Sequence, residues 1–133
     1  MAKRAAVCYV LEDDEKPGSV CGFYTLSNLS VELNEIPVAK RKSFPKYPQV
    51  PAILLGRLAV DKKFQGAGIG EHLLIDALQR ALASSKVTGA GVIVVDAKNE
   101  SVCDFYLQYG FKPFIGIANR LFITMATVEK MAP

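Results

Sequence analysis

Gln65-Gly66-Ala67-Gly68-Ile69-Gly70 is the stretch on which the reading of this chain turns. It follows an apolar run, Ile53 to Val60, and opens a strongly periodic segment. There Ile69, Leu73, Leu74, Ala77, Leu78, Ala81 and Leu82 fall on one helical face, with Glu71, Asp76, Gln79, Arg80 and Ser84 on the other. A glycine-rich turn between a strand and a helix N-terminus presents free backbone N–H groups, and glycine lets an anion approach them closely. The spacing predicts a phosphate-bearing ligand at Gln65–Gly70. It does not fit a P-loop, which needs Lys-Ser/Thr after its last glycine where this chain has Glu71-His72. Nor does it fit a Rossmann turn, whose G-x-G-x-x-G spacing Gly66, Gly68 and Gly70 miss.

Outward from this turn the pattern is alternating strand and helix. Ala52 to Val60 reads as a strand buried on both faces, apart from Gly56 and Arg57. After the helix, closed by Val87-Thr88-Gly89-Ala90, Gly91 to Ala97 is a second buried strand, so the two pair in parallel through a crossover. Ser101 to Tyr109 reads as a short helix with Asn99 near its cap and Gly110 as its stop. Upstream, Ala5–Leu11 and Ser19–Leu29 read as a hairpin joined by the polar turn Glu12–Gly18, with Pro17-Gly18 as its stop signal. Val31–Ile36 fits neither pattern, Pro37–Lys42 fits one helical turn, and Pro45, Pro48 and Pro51 keep the chain extended. Phe114-Ile115 and Leu121–Thr127 read as a closing hairpin. No repeat, linker or low-complexity segment divides the chain, so residues 1–133 are expected to form one domain.

With half its residues hydrophobic and 22% charged, the sequence fits a folded globular protein rather than a disordered one. No apolar run approaches the ~20 residues of a membrane span, and no long apolar region follows Met1-Ala2-Lys3-Arg4 as in a signal peptide. Cys8, Cys21 and Cys103 show neither disulfide-scaffold nor metal spacing, so reduced thiols in a cytoplasmic protein, and no metal, are expected. The net charge of +3 hides an asymmetry. Lys40, Arg41, Lys42, Lys46, Arg57, Lys62 and Lys63 stand against Asp61 alone, giving this segment +6 and the remainder −3. Such a stretch attracts a polyanion or forms a solvated loop, and charge alone leaves both open.

At this point the sequence resembles the GNAT N-acetyltransferase superfamily. Gln65, Gly68 and Gly70 match its Q/R-x-x-G-x-G/A signature between strand and helix. Asn99, Phe105, Tyr106, Gly110 and Phe111 match a second, N-x-x-A-x-x-F-Y-x-x-x-G-F, with Val102 at the alanine position. The resemblance runs from Ala5 to Thr127. It implies an α/β (α+β) GNAT fold: a mixed, mostly antiparallel sheet with a splayed parallel central strand pair and flanking helices. Leu54-Leu55-Gly56-Arg57-Leu58-Ala59-Val60-Asp61 before Phe64-Gln65-Gly66 is similar, more narrowly, to the GNAT-type toxins of bacterial toxin–antitoxin pairs. Those acetylate the amino group of aminoacyl-tRNA and so block translation. They carry further N-terminal elements, so this domain is expected to be shortened at its N-terminus.

The resemblance implies acetyl-CoA as cosubstrate, with its pyrophosphate on the amides of Gln65, Gly66, Ala67, Gly68, Ile69 and Gly70. It places the pantetheine arm along Leu58, Ala59 and Val60, with the Val60 amide on the thioester carbonyl, and makes Tyr106 the general acid. A phenol with a pKa near 10 is protonated at neutral pH and can donate to a departing thiolate. Asn99 either touches the pantetheine or caps its helix. Arg57 either contacts the acceptor RNA or forms an ion pair, while Lys40, Arg41 and Lys42 are candidates for steering phosphate. Lys62 and Lys63 are either surface lysines or phosphate contacts, and Asp96 and His72 do not stand out as a base. None is required, because an α-amine has a pKa near 8 and an adjacent ester lowers it. The implied partners are acetyl-CoA, aminoacyl-tRNA, a cognate antitoxin and a second copy in a homodimer, with no membrane. The competing readings are a housekeeping acetyltransferase for a small amine or protein N-terminus, and a non-catalytic CoA-binding domain.

Overall fold

The computed structural model describes residues 6–42 and 44–131. Six strands form one sheet. They are β1 (Val7–Asp13), β2 (Lys16–Glu32), β3 (Gln49–Val60), β4 (Val92–Asp96), β5 (Lys112–Pro113) and β6 (Arg120–Thr124), in the order β1-β2-β3-β4-β6-β5. Four helices accompany them: α1 (Val38–Arg41), α2 (Ile69–Thr88), α3 (Glu100–Leu107) and α4 (Met125–Met131). Only β3 and β4 run parallel, joined by the crossover through α2, and the other neighbours are antiparallel. This is the mixed sheet with flanking helices that the sequence predicts. Among the described residues no helix is long and apolar enough to cross a membrane, and no cluster of potential metal ligands forms.

The sheet has two unequal faces. On one, Leu73, Leu74, Ala77, Leu78 and Ala81 of α2 pack with Tyr24, Ile53, Leu55, Ile93, Val95 and Tyr106 in the larger core. Gly22 is what lets α2 lie so close. A Cβ there would stand 2.6 Å from the Ala59 carbonyl oxygen and 2.7 Å from Leu73 Cδ1. On the other face, Val31, Val50, Ala52, Val92, Val94 and Phe122 form a second core under Ile36 and Phe114. Arg41 braces the connection above it, with Nε donating to the Ile36 carbonyl at 2.7 Å and Nη2 to that of Asn34 at 2.9 Å.

A polar network missed at the sequence level fastens α2 to the first hairpin. The Tyr24 hydroxyl donates to Asp76, which also accepts from Arg80 Nε at 3.2 Å. The Arg80 guanidinium lies 4.4 Å from the ring centre of Tyr9, which stacks on Tyr24. Burial, reinforced by the bond to Asp76, pushes Tyr24 above the usual tyrosine range. Burial also pushes Asp76 up, but the bonds from Tyr24 and Arg80 outweigh it and hold the carboxyl below its ordinary value.

Several boundaries differ from the sequence-based expectation. The short arm expected at Phe114-Ile115 lies instead at Lys112–Pro113, and β2 runs past the expected Leu29 to Glu32. The strand predicted from Ala5 runs Val7–Asp13, and Ala5, like Met1–Arg4, lies outside the described residues. Its hairpin turns earlier than Pro17-Gly18. Asp13 already pairs with Lys16, and Pro17–Ser19 bulge out of β2 before Val20 meets Glu12, with Gly18 at φ +90°. The expected strand Leu121–Thr127 stops at Thr124, and Met125–Met131 is helical. The Thr124 hydroxyl accepts the Thr127 N–H at 3.1 Å, an N-cap contact, and Met125 and Val128 bury one helical stripe.

Candidate active site

The parallel pairing of β3 with β4 covers only Ala52–Leu55 against Val92–Val95. Beyond it β3 stays paired with β2 as far as Val60, but its other edge has no neighbouring strand. The departure coincides with a bulge. Leu55 pairs with Leu26 and Arg57 with Thr25, which leaves Gly56 as an extra residue. The Thr25 hydroxyl accepts the Arg57 N–H at 3.0 Å, and a Cβ on Gly56 would stand 2.9 Å from that same oxygen. An extra residue bends its strand. Here the bend opens the gap between β3 and α3.

At the far end of this edge the chain makes a turn, Lys62–Phe64, capped by Asp61, whose side chain accepts the Lys63 N–H at 2.9 Å. Gln65 follows, and its side-chain Nε2 donates to the Val60 carbonyl at 3.3 Å, tying the glycine turn to the end of β3. Gly66 and Gly68 take φ of +86° and +78°, and Gly68 is the N-cap of α2. Ile69, Gly70 and Glu71 therefore have amides with no carbonyl one turn behind them. A Cβ on Gly66 or Gly68 would meet nothing within 4 Å, so the cradle faces open space. One on Gly70 would approach Val60 and Phe105 at 3.8 and 3.9 Å and narrow the gap.

The gap is a cavity of about 440 Å³ whose lining includes Leu58, Val60, Gln65, Gly66, Gly70 and Tyr106. Strand alternation explains why Leu58 and Val60 line it and Ala59 does not. Tyr106 is only 6% exposed, lies in edge contact with Phe105 and packs on Phe111. Burial pushes its phenol up to about 12. Phe64, Ser101, Val102 and Phe105 complete the lining. Of these, Phe105 was legible as the aromatic beside Tyr106, whereas Ser101 and Phe64 carry no signal of their own.

Other predicted residues stand apart from the cavity. Asn99 caps α3, with Oδ1 accepting the Val102 N–H at 3.0 Å. Arg57 is exposed and makes no ion pair among the described residues. Lys40, Arg41 and Lys42 lie by the N-terminal half of β3, and the Arg41 guanidinium is committed to two carbonyls. Asp96, at the end of β4, is gripped by both Nε and Nη2 of Arg120 at 2.7 and 3.0 Å. His72 is exposed on α2. Among the described residues, no Asp, Glu or His lines the cavity. The arrangement can hold an anion at the cradle and an extended arm along β3, and its lining carries the neutral hydroxyls of Tyr106 and Ser101.

Comparison with known proteins agrees with this geometry. Residues 4–113 match an acetyltransferase (GNAT) domain. A tRNA-acetylating toxin of Mycobacterium tuberculosis (strain ATCC 25618 / H37Rv) is 40% identical over 105 residues, 79% of this chain and 60% of that protein. The chain thus spans less than two thirds of that relative's length. The structure of AtaT complexed with acetyl-methionyl-tRNAfMet superposes with a TM-score of 0.87 at 32% identity, covering 95% of this chain and 75% of that one. A mutant AtaT toxin bound to the C-terminus of the antitoxin AtaR and acetyl-CoA superposes with a TM-score of 0.75 at 30% identity, covering 95% and 71%.

Proposed function

From the premise that this chain belongs to the GNAT acetyltransferase family, we propose that it is a toxin that acetylates the amino group of aminoacyl-tRNA, using acetyl-CoA. The observation that carries this is the meeting of three parts in one cavity: the glycine cradle, the unpaired edge of β3, and Tyr106.

Acetyl-CoA supplies an activated acetyl group. The first amides of α2 take its pyrophosphate, where the helix dipole favours negative charge. The freed edge of β3 pairs with the amides of its pantetheine arm along Leu58, Ala59 and Val60. The Val60 carbonyl is already occupied by Gln65, while the Val60 amide is the donor assigned to the thioester oxygen, where negative charge develops. Tyr106 donates its hydroxyl proton to the leaving sulfur. Its raised pKa keeps that proton in place at every pH where the fold is expected to work.

The acceptor side favours an aminoacyl ester over lysine. The cavity offers no base, so the amine must already be neutral. An α-amine with a pKa near 8, lowered by its ester, meets that condition, and a lysine with a pKa near 10.4 does not. Arg57, outside the cavity, is the cation we assign to the acceptor end, with Lys40 and Lys42 for the RNA body and Arg41 holding their loop. Asn99 acts by seating α3 and hence Tyr106. An antitoxin is a further partner, on the precedent of AtaT bound to AtaR, and a second copy of the chain is one on the family resemblance alone.

Incubating the purified chain with labelled acetyl-CoA and charged tRNA, with small amines as controls, tests the reading. Labelled N-acetyl-aminoacyl-tRNA is the expected product. Transfer to small amines alone would make it a housekeeping enzyme. CoA binding without any transfer would make it a binding domain.

A further inference from the structure

A second concave site lies at the other end of β3 and shares no lining residue with the acetyl-transfer cavity. It holds about 400 Å³ between the Phe44–Tyr47 segment and the loop after α2. Its lining includes Phe44, Tyr47, Val50, Gly91 and Met125. Phe44 is seated directly on Gly91, where a Cβ would stand 2.8 Å from its ring. Tyr47, by contrast, is 69% exposed, a large aromatic turned to solvent.

The polar groups around this site are mostly spoken for. The Gly91 N–H donates to Pro51 and its carbonyl accepts from Met125, both at 2.9 Å. The Thr124 hydroxyl is held by Thr127. Among the described residues of the lining, the polar side chains left are those of Tyr47 and Gln49. The site therefore presents flat apolar surface with little means to read a hydrogen-bonding edge. Around it lysines outnumber acids: Lys42 and Lys46 on the same segment, Lys86 in the last turn of α2 and Lys130 on α4 are exposed, against Glu129 on α4 and Glu32 opposite Gln49. Exposed aromatics interleaved with lysines are what unpaired nucleotides require, since bases stack on the rings and phosphates meet the cations. An acidic peptide would also suit the charge, but its carboxylates bring no flat face to stack on the two rings.

We infer that this site stacks an unpaired nucleotide of the RNA substrate, between Phe44 and Tyr47 with its phosphate on Lys46. The inference rests on the proposed function for the identity of the RNA. The contact is remote: from Gln49 to Leu58 β3 rises roughly 30 Å. A full tRNA can span that length and a charged trinucleotide cannot. Stacking is also tolerant of base identity, so the contact adds affinity without selecting sequence.

Binding of uncharged tRNA to the full chain, followed as a function of salt, tests it independently of acetyl transfer. Tyr47→Ala is expected to weaken binding roughly tenfold. Lys46→Ala is expected to flatten the salt dependence by about 0.7–0.9 in log–log slope, the value of one lost phosphate contact. Both positions are exposed, and an unchanged melting temperature verifies folding. In turnover, Tyr47→Ala should raise KM for charged tRNA and leave KM for an aminoacylated CCA fragment and for acetyl-CoA unchanged. Wild-type affinity for tRNA in both variants would overturn the inference and leave the groove to an acidic peptide. An equal rise in KM for the fragment would also overturn it. If the wild type acetylates no RNA yet binds tRNA through Tyr47, the proposed function fails and this contact stands.

Discussion

The two halves of β3 share a composition and do opposite work. From Ala52 to Leu55 the strand lies between two neighbours, and Ala52, Ile53 and Leu55 are at most 3% exposed. From Gly56 to Val60 it keeps one neighbour, and Leu58 and Val60, only partly buried against the larger core, line the cavity. One extra residue at Gly56 separates the two regimes. The lesson is that this site is made by withholding a strand partner. The unsatisfied edge that would be a liability elsewhere is, in the proposed function, the docking line for an extended ligand.

The contrast can be broken most severely at Tyr106. Tyr106→Phe should slow acetyl transfer by roughly 10²–10⁴, the range of a general acid, with KM for acetyl-CoA nearly unchanged. Wild-type turnover in that variant would remove Tyr106 from the chemistry. The halves themselves are compared by a matched pair of truncations. Leu55→Ala should cost about 2–5 kcal/mol in denaturant unfolding, as for a closed core. Leu58→Ala should cost well under that and appear mainly as a raised KM for acetyl-CoA. Equal losses of stability would mean that the outer half is core after all.

The pH profile sharpens the same contrast. As the acceptor amine loses its proton, kcat/KM should rise from pH 6 toward about 8. No falling limb should follow below about pH 10, because burial keeps the Tyr106 phenol protonated with its pKa up to about 12. A decline near pH 9 would point to another acid. The smallest effect is expected at the clamp behind the outer half, where Tyr24 pairs opposite Leu58. Tyr24→Phe should cost about 1 kcal/mol at pH 7. The sign follows from Asp76, whose carboxyl is held low in the folded state. Its contribution is complete above the unfolded value near 3.9 and is lost as pH falls through the lower folded value. The difference between variant and wild type should therefore close in acid, as read by denaturation at pH 7 and pH 3.

Much of this was legible because the periodicities were strong. The apolar stripe of α2, the Val92–Val95 run of β4 and the glycine turn each carried an unambiguous signal. The divergence of β3 was not legible from its side chains, because a core and a pantetheine channel both call for apolar residues. Gly56 and Arg57 interrupted the run, and only the register explains why. The last helix was hidden because Leu121–Thr127 is rich in β-prone residues, and Thr124 acts as strand end and helix cap together. The Tyr24–Asp76–Arg80 network joins residues far apart in sequence, so Asp76 and Arg80 looked like an ordinary polar face. Arg41 read as a steering cation, yet the structure commits its guanidinium to the Asn34 and Ile36 carbonyls.

Calorimetric titration of coenzyme A into the wild-type chain and into Gly70→Val tests the site most directly. The wild type should bind one equivalent. The valine, whose bulk would project toward Val60 and Phe105, should reduce affinity at least tenfold, with an unchanged melting temperature. No heat with the folded wild type, or undiminished binding by Gly70→Val, would contradict the assignment of cradle and strand edge to this ligand.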